Sequence, residues 1–138
     1  IRDSPQAEQL DPRVRKRLEG ARAYPASKQV LLYQAAEALK AQIAHELDGA
    51  FLVTPTVGHV APLLAPLEED AELFVATNLA TLRLTMPGSM LDMPGVALPS
   101  GTGEAELPTS LLLSSSSGND KALLRAALAI EPYVRAGL

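Results

Sequence analysis

The chain contains no cysteine, which excludes disulfide scaffolds, thiol nucleophiles and cysteine-held zinc. Histidine is nearly as scarce, with only His45 and His59, so no metal site is expected. No apolar run approaches the ~18 residues that a membrane-spanning helix needs. Nor does the chain open on the basic stretch and apolar segment of a secretory signal. Gly-Xaa-Ser-Xaa-Gly elbows, phosphate loops and dinucleotide fingerprints are all missing, and Gly101-Thr102-Gly103 has no helix close behind it to make an anion site. These absences leave no membrane partner and no cofactor to expect, and the cytoplasm as the simplest location.

What is present suits one globular domain. The 138 residues are 47% hydrophobic and 20% charged, enough apolar material for a core. The net charge of −4 disfavours broad nucleic-acid binding. Charge is unevenly placed, with a net of +3 over residues 1–28 and −7 over residues 29–138. The basic cluster Arg13, Arg15, Lys16 and Arg17 has no interleaved aromatics, and reads as the solvated face of a short helix. The chain opens on Ile1 rather than Met, and a piece of a longer protein is the expectation.

Along the chain, Leu10-Asp11-Pro12 predicts a helix start, with Asp11 as cap and Gly20 as the stop. A longer helix is predicted from Ala26 to Leu47, where Leu31, Ala35, Leu39, Ile43 and Leu47 recur every four residues. Asp48-Gly49 should end it. The unbroken apolar run from Ala50 to Thr54, closed by Pro55, predicts a strand in a sheet covered on both faces. Residues 55–67, with three prolines, predict an extended loop. An acidic start at Glu68-Glu69-Asp70 predicts a helix through Leu82, and Pro87-Gly88 a break. Two further strands, at 95–99 and 109–113, are separated by about ten turn-rich residues and should form a hairpin. Ser114 to Ser117 predicts a loop, and Asn119 or Asp120 should cap a last helix reaching Val134. The expected fold is mixed α/β, sheet strands flanked by helices. Residues 1–25 make a basic helical lead-in and 26–138 the body, with the core expected from 28–55 and 95–135.

No complete active site follows from these residues. His45 lies late in the long helix, where a cation is favourable, and beside Glu46 it faces another direction. His59 sits in the Gly-Pro loop, either at the surface or facing a pocket. Lys16, Lys28, Lys40 and Lys121 all fall on predicted helices or their starts, so none is placed to activate a serine.

Several segments occur in an order that carries a resemblance. These are Leu10-Asp11-Pro12-Arg13-Val14-Arg15 with Gly20, then Phe51-Leu52-Val53-Thr54-Pro55-Thr56, then Arg83-Leu84-Thr85 with Leu91-Asp92-Met93-Pro94-Gly95-Val96-Ala97-Leu98-Pro99-Ser100-Gly101. Pro108 through Leu113 and Asp120 through Leu124, closing with Glu131, complete it. Over residues 10–135 the chain resembles the C-terminal portion of the amidase signature family. It departs at Ser89, where the family usually carries Asn, and in the serines after Leu113, where a glycine is usual.

For the complete protein the resemblance implies hydrolysis of a small-molecule amide through an acyl-serine, relayed by a second serine and a lysine. None of that machinery is in this chain, so no catalytic residue is expected here and the chain alone should be inactive. The resemblance implies instead a scaffold and one wall of the substrate pocket, with Arg83 and Thr85 nearest and His59 and Thr56 behind them. Arg83 there would pair with a substrate carboxylate, or else form a surface ion pair. Apolar surface left uncovered should favour association into a homo-oligomer. The alternative function is a catalytically silent interaction or regulatory module on the same scaffold.

Overall fold

The computed structural model describes residues 4–136, and the chain falls into two compact units, Ile1–Ala35 and Ala36–Leu138. The boundary lies inside the long helix.

The first unit begins with a 3₁₀ turn at Pro5–Gln9 and then helix α1, Pro12–Gly20. Asp11 caps α1 as its sequence predicts, accepting from the Arg13 amide at 2.8 Å, with Pro12 in the first turn where its missing N–H costs nothing. The Arg13 side chain folds back onto the same carboxylate, Nη2 to Oδ2 at 2.8 Å. Side-chain and backbone hydrogen bonds from Arg13 hold the Asp11 carboxyl down at about 2. Gly20 is the last helical residue rather than a stop outside the helix, and a second 3₁₀ turn follows at Ala21–Ala23. Helix α2 then runs Ala26–Leu47, and near its start Lys28 lies 4.6 Å from the Tyr24 ring centre.

The second unit takes the remainder of α2, which ends as predicted: Asp48 and Gly49 both turn left-handed, at φ 45° and 84°. Strand β1, Leu52–Pro55, follows. Next come three helices, α3 at Leu64–Glu69, α4 at Ala71–Leu82 and α5 at Met86–Met90. Strands β2, Gly95–Thr102, and β3, Pro108–Ser114, lead to helix α6, Asp120–Arg135. The sheet is antiparallel in the order β1-β3-β2, and β2 and β3 form the predicted hairpin.

Helix α6 packs on β2 and β3. Leu123, Ala127 and Val134 meet Leu98 and Leu113 in the buried core, with Ile130 packed against it. Positions 123, 127, 130 and 134 fall on one stripe of a 3.6-residue helix, so a single face supplies the core.

Several expectations need correction. The first strand exists, but it is not buried on both faces: Leu52 is 44% and Val53 52% exposed. With one neighbour only, β1 is an edge strand, and α6 covers the other two. Residues 28–55 supply little of the core, since Ala36 is the only buried residue of α2. The loop after Pro55 ends early because α3 starts at Leu64. Pro87-Gly88 does not break the chain; Pro87 occupies the first turn of α5, where no N–H partner is required. The turn expected at 100–103 is partly strand. Strand β2 continues to Thr102 through a bulge at Ser100, with Gly101 at φ 106° supplying the left-handed step. Finally, Asn119 precedes α6 without a side-chain cap; its amide donates to the Ser116 hydroxyl at 3.0 Å.

Candidate functional site

Of the four residues expected at a substrate wall, His59, Arg83 and Thr85 each line one of three neighbouring cavities of the second unit, and Thr56 lines none of them. Thr56 continues the β1–β3 pairing one step past Pro55. Its amide donates to the Ser110 carbonyl at 3.1 Å, and the Ser110 hydroxyl donates to Thr56 Oγ1 at 2.8 Å. Beside that pair the β2 bulge turns Ser100 towards Thr109, the two hydroxyl oxygens 3.0 Å apart. Thr54, Ser100, Thr109, Ser110, His59 and Glu104 line a cleft of about 680 Å³ whose remaining wall is mostly apolar.

His59 is neither loose nor an obvious base. Its Nδ1 lies 2.8 Å from the Val60 carbonyl, which only accepts, so Nδ1 carries the hydrogen and donates. Its Nε2 lies 2.9 Å from the Thr81 hydroxyl, which also reaches the Thr77 carbonyl at 2.8 Å. The ring therefore ties the loop after β1 to α4. Thr81 escaped sequence reasoning, because a threonine inside an apolar helix shows its partner only once the chain is folded.

Thr85 closes the turn after α4, its hydroxyl donating to the Leu82 carbonyl at 3.2 Å. It lines a smaller cavity of about 260 Å³ with Leu52, Thr54, Met93, Gly95 and Leu112. That cavity shares Thr54 with the His59 cleft. It shares Pro87 and Leu91 with a third cavity of about 670 Å³, lined by Leu39, Leu79, Met86, Met90 and Arg83. Arg83 is exposed at the C-terminal end of α4, and no ion pair engages it among the described residues.

The hydroxyls of Ser100, Ser110 and Ser115 stay apart from bases, whereas His59 engages the Thr81 hydroxyl. Lys40 is committed to Glu37, at 2.7 Å, and to Asp92. The hydrogen bonds that Lys40 donates to Asp92 and Glu37 raise its pKa. The hydroxyls of Ser100, Ser110 and Ser115 meet Thr109, Thr56 and the Ser116 carbonyl, and none of these partners is a base. The described residues hold no cluster of His, Asp and Glu fit for a metal ion. No described helix is long and apolar enough to cross a membrane.

A sheet carrying Thr-Pro-Thr at one edge and the Met93-to-Gly101 run at the other can be set against known proteins. The model of the amidase family matches residues 1–124. This chain belongs to the amidase family.

Among curated relatives of this amidase-family chain is a fatty acid amide hydrolase of Medicago truncatula, 29% identical over 105 residues. Another is a glutamyl-tRNA(Gln) amidotransferase component from Zymomonas mobilis, 30% identical over 104 residues. Each alignment covers 72% of this chain but only 17% and 20% of the relatives, so the chain spans about a fifth of their length. No solved structure matches it.

Proposed function

We propose that the complete protein hydrolyses the C–N bond of a small-molecule amide, and that this chain is its C-terminal part, supplying sheet, helical layer and one wall of the substrate pocket. The family match over residues 1–124 carries this reading. A serine elsewhere in the protein attacks the amide carbonyl; the amine leaves with a proton relayed through a second serine and a lysine, and water then cleaves the acyl-serine. Arg83, Thr85, His59 and Thr56 contribute the wall. The reading requires no cofactor, and a cytoplasmic location goes with it.

What supports leaving the catalytic step outside this chain is that the Ser100, Ser110 and Ser115 hydroxyls meet no base. A positioned base is worth a factor of about 10²–10⁴, and here Lys40 and His59 are each held by other partners. The test is labelling with a fluorophosphonate probe. The longer protein should label and hydrolyse simple aryl or fatty amides, and the 138-residue chain should do neither. Stoichiometric labelling of the chain alone overturns the assignment. A longer protein that neither labels nor hydrolyses makes this scaffold an interaction module instead.

A further inference from the structure

The loop between β1 and α3 walls the cleft of about 680 Å³ with four consecutive residues, Val57, Gly58, His59 and Val60. Little else fastens it. Among the described residues, no backbone–backbone hydrogen bond involves positions 57–62, and a Cβ on Gly58 would meet nothing within 4 Å. A segment with no backbone ladder keeps its conformation only through its side chains. Two of them do so here. Val60 packs against Gly103, where a Cβ would come within 3.2 Å of Val60 Cγ1. His59 makes the one hydrogen bond that leaves the loop among the described residues, 2.9 Å from Nε2 to the Thr81 hydroxyl of α4.

The direction of that bond is set by its neighbours. The Val60 carbonyl takes the Nδ1 hydrogen, so Nε2 of the neutral ring can only accept. Thr81 has a single hydroxyl proton and must give it to Nε2, although the Thr77 carbonyl lies 2.8 Å from the same oxygen. A threonine inside a helix can spend its hydroxyl on that carbonyl. Here the loop competes for it. We propose that Thr81 is a positioning residue of the substrate pocket: its hydroxyl latches His59, and through His59 it sets the loop wall of the cleft. The proposal rests on the reading of this chain as one wall of that pocket, and adds to it a residue that lines none of the three cavities. A Thr81 that served only its own helix would leave the loop indifferent to the hydroxyl.

Thr81→Val keeps the branched shape and removes the hydroxyl, whereas Thr81→Ser keeps the hydroxyl. Nuclear magnetic resonance of the full chain distinguishes the two roles. In the parent, neutral His59 should carry its hydrogen on Nδ1 and leave Nε2 bare. Backbone order parameters at 58–61 should be about 0.85 in the parent, fall below about 0.6 in Thr81→Val and recover in Thr81→Ser. Order at 78–80 should be the same in all three, which separates a released latch from a damaged α4. In the longer protein, Thr81→Val should raise KM by about three- to tenfold, the worth of one hydrogen bond, and lower kcat less. Thr81→Ser should stay near the parent. Unchanged loop order in Thr81→Val, or a neutral His59 with its hydrogen on Nε2, overturns the proposal. A loop that loosens as stated in a longer protein that hydrolyses no amide would sink only the amidase reading. A hydrolysing protein whose loop and KM ignore the Thr81 hydroxyl would sink only this one.

Discussion

Helices α4 and α6 show two fates of apolar helix residues in the same unit. In α6 the apolar positions are segregated: Leu123, Ala127 and Val134 are buried against β2 and β3, whereas Leu124, Leu128 and Tyr133 remain 54% to 70% exposed. Helix α4, Ala-Glu-Leu-Phe-Val-Ala-Thr-Asn-Leu-Ala-Thr-Leu, is apolar on nearly every side and yet buries no residue fully. Leu73, Val75 and Leu79 are each at least 42% exposed. A helix apolar all round ordinarily belongs in an interior. Apolar content alone therefore does not create a core. A stripe on one face does, because it can be satisfied by a single neighbouring layer, as the β2–β3 hairpin satisfies α6.

The sharpest way to break that contrast is to truncate one leucine on each side. Leu123, 1% exposed at the centre of the core, should cost about 2–5 kcal/mol when replaced by alanine. Leu79→Ala should cost well under 1 kcal/mol by the same urea titration, since about half of that side chain is already in water. Equal losses would show that α4 is as well packed as α6.

A second variant probes the sheet itself. A Cβ on Gly95 would sit 3.1 Å from Leu112 Cδ1 and 3.4 Å from Ser114 Oγ. Gly95→Ala should therefore destabilise by about 1–3 kcal/mol through overpacking, read in the same titration. Stability at or above the parent would mean that Leu112 moves aside into the adjoining cavity.

Next in size is the cap of α4. Asp70 accepts from the amides of Glu72 and Leu73 at 2.8 and 3.0 Å. Asp70→Ala should cost about 0.5–2 kcal/mol. Because α6 has no side-chain cap at Asn119, Asn119→Ala should be nearly silent by thermal melting, and a loss matching that of Asp70→Ala would erase the distinction.

The smallest effects are those of pH on exposed ion pairs. The folded pKa of Lys40 lies above its ordinary 10.5, so its pairing with Asp92 and Glu37 is fully present below that value. It is lost as pH rises through the folded pKa. Lys40→Met should abolish this alkaline dependence of the melting temperature. Asp11 behaves in the opposite sense: its pKa falls from 3.8 to about 2, so its contribution holds above pH 3.8 and fades as the pH falls towards 2. Asp11→Asn should flatten that acid limb, and an unchanged limb would show that the Asp11–Arg13 contact has no effect on stability.

Much of this was legible because local chemistry dictates it. The Asp11-Pro12 start, the left-handed Asp48-Gly49 end, the β2–β3 hairpin and the 3.6-residue stripe of α6 depend on few neighbours, and each is visible in a short window of residues. The prolines carry a further signal. Pro55 in β1 and Pro99 in β2 have no N–H for a ladder, which confines such strands to sheet edges, and those are the edge strands. The candidate site was less legible. Thr56, His59, Arg83 and Thr85 were named from a resemblance, but the placing of His59, Arg83 and Thr85 at three different cavities, and the His59–Thr81 link across 22 positions of the chain, arise only on folding.

What the sequence determined by itself was therefore the type of most elements and the family, since both reside in residue order. Burial was decided only in the tertiary structure. The apolar run before Pro55 reads the same whether its faces are covered or open, and in the fold Leu52 and Val53 stay 44% and 52% exposed. The physical reason is that burial belongs to pairs of surfaces: a strand or helix carries its pattern alone, but only a neighbour can remove that pattern from water.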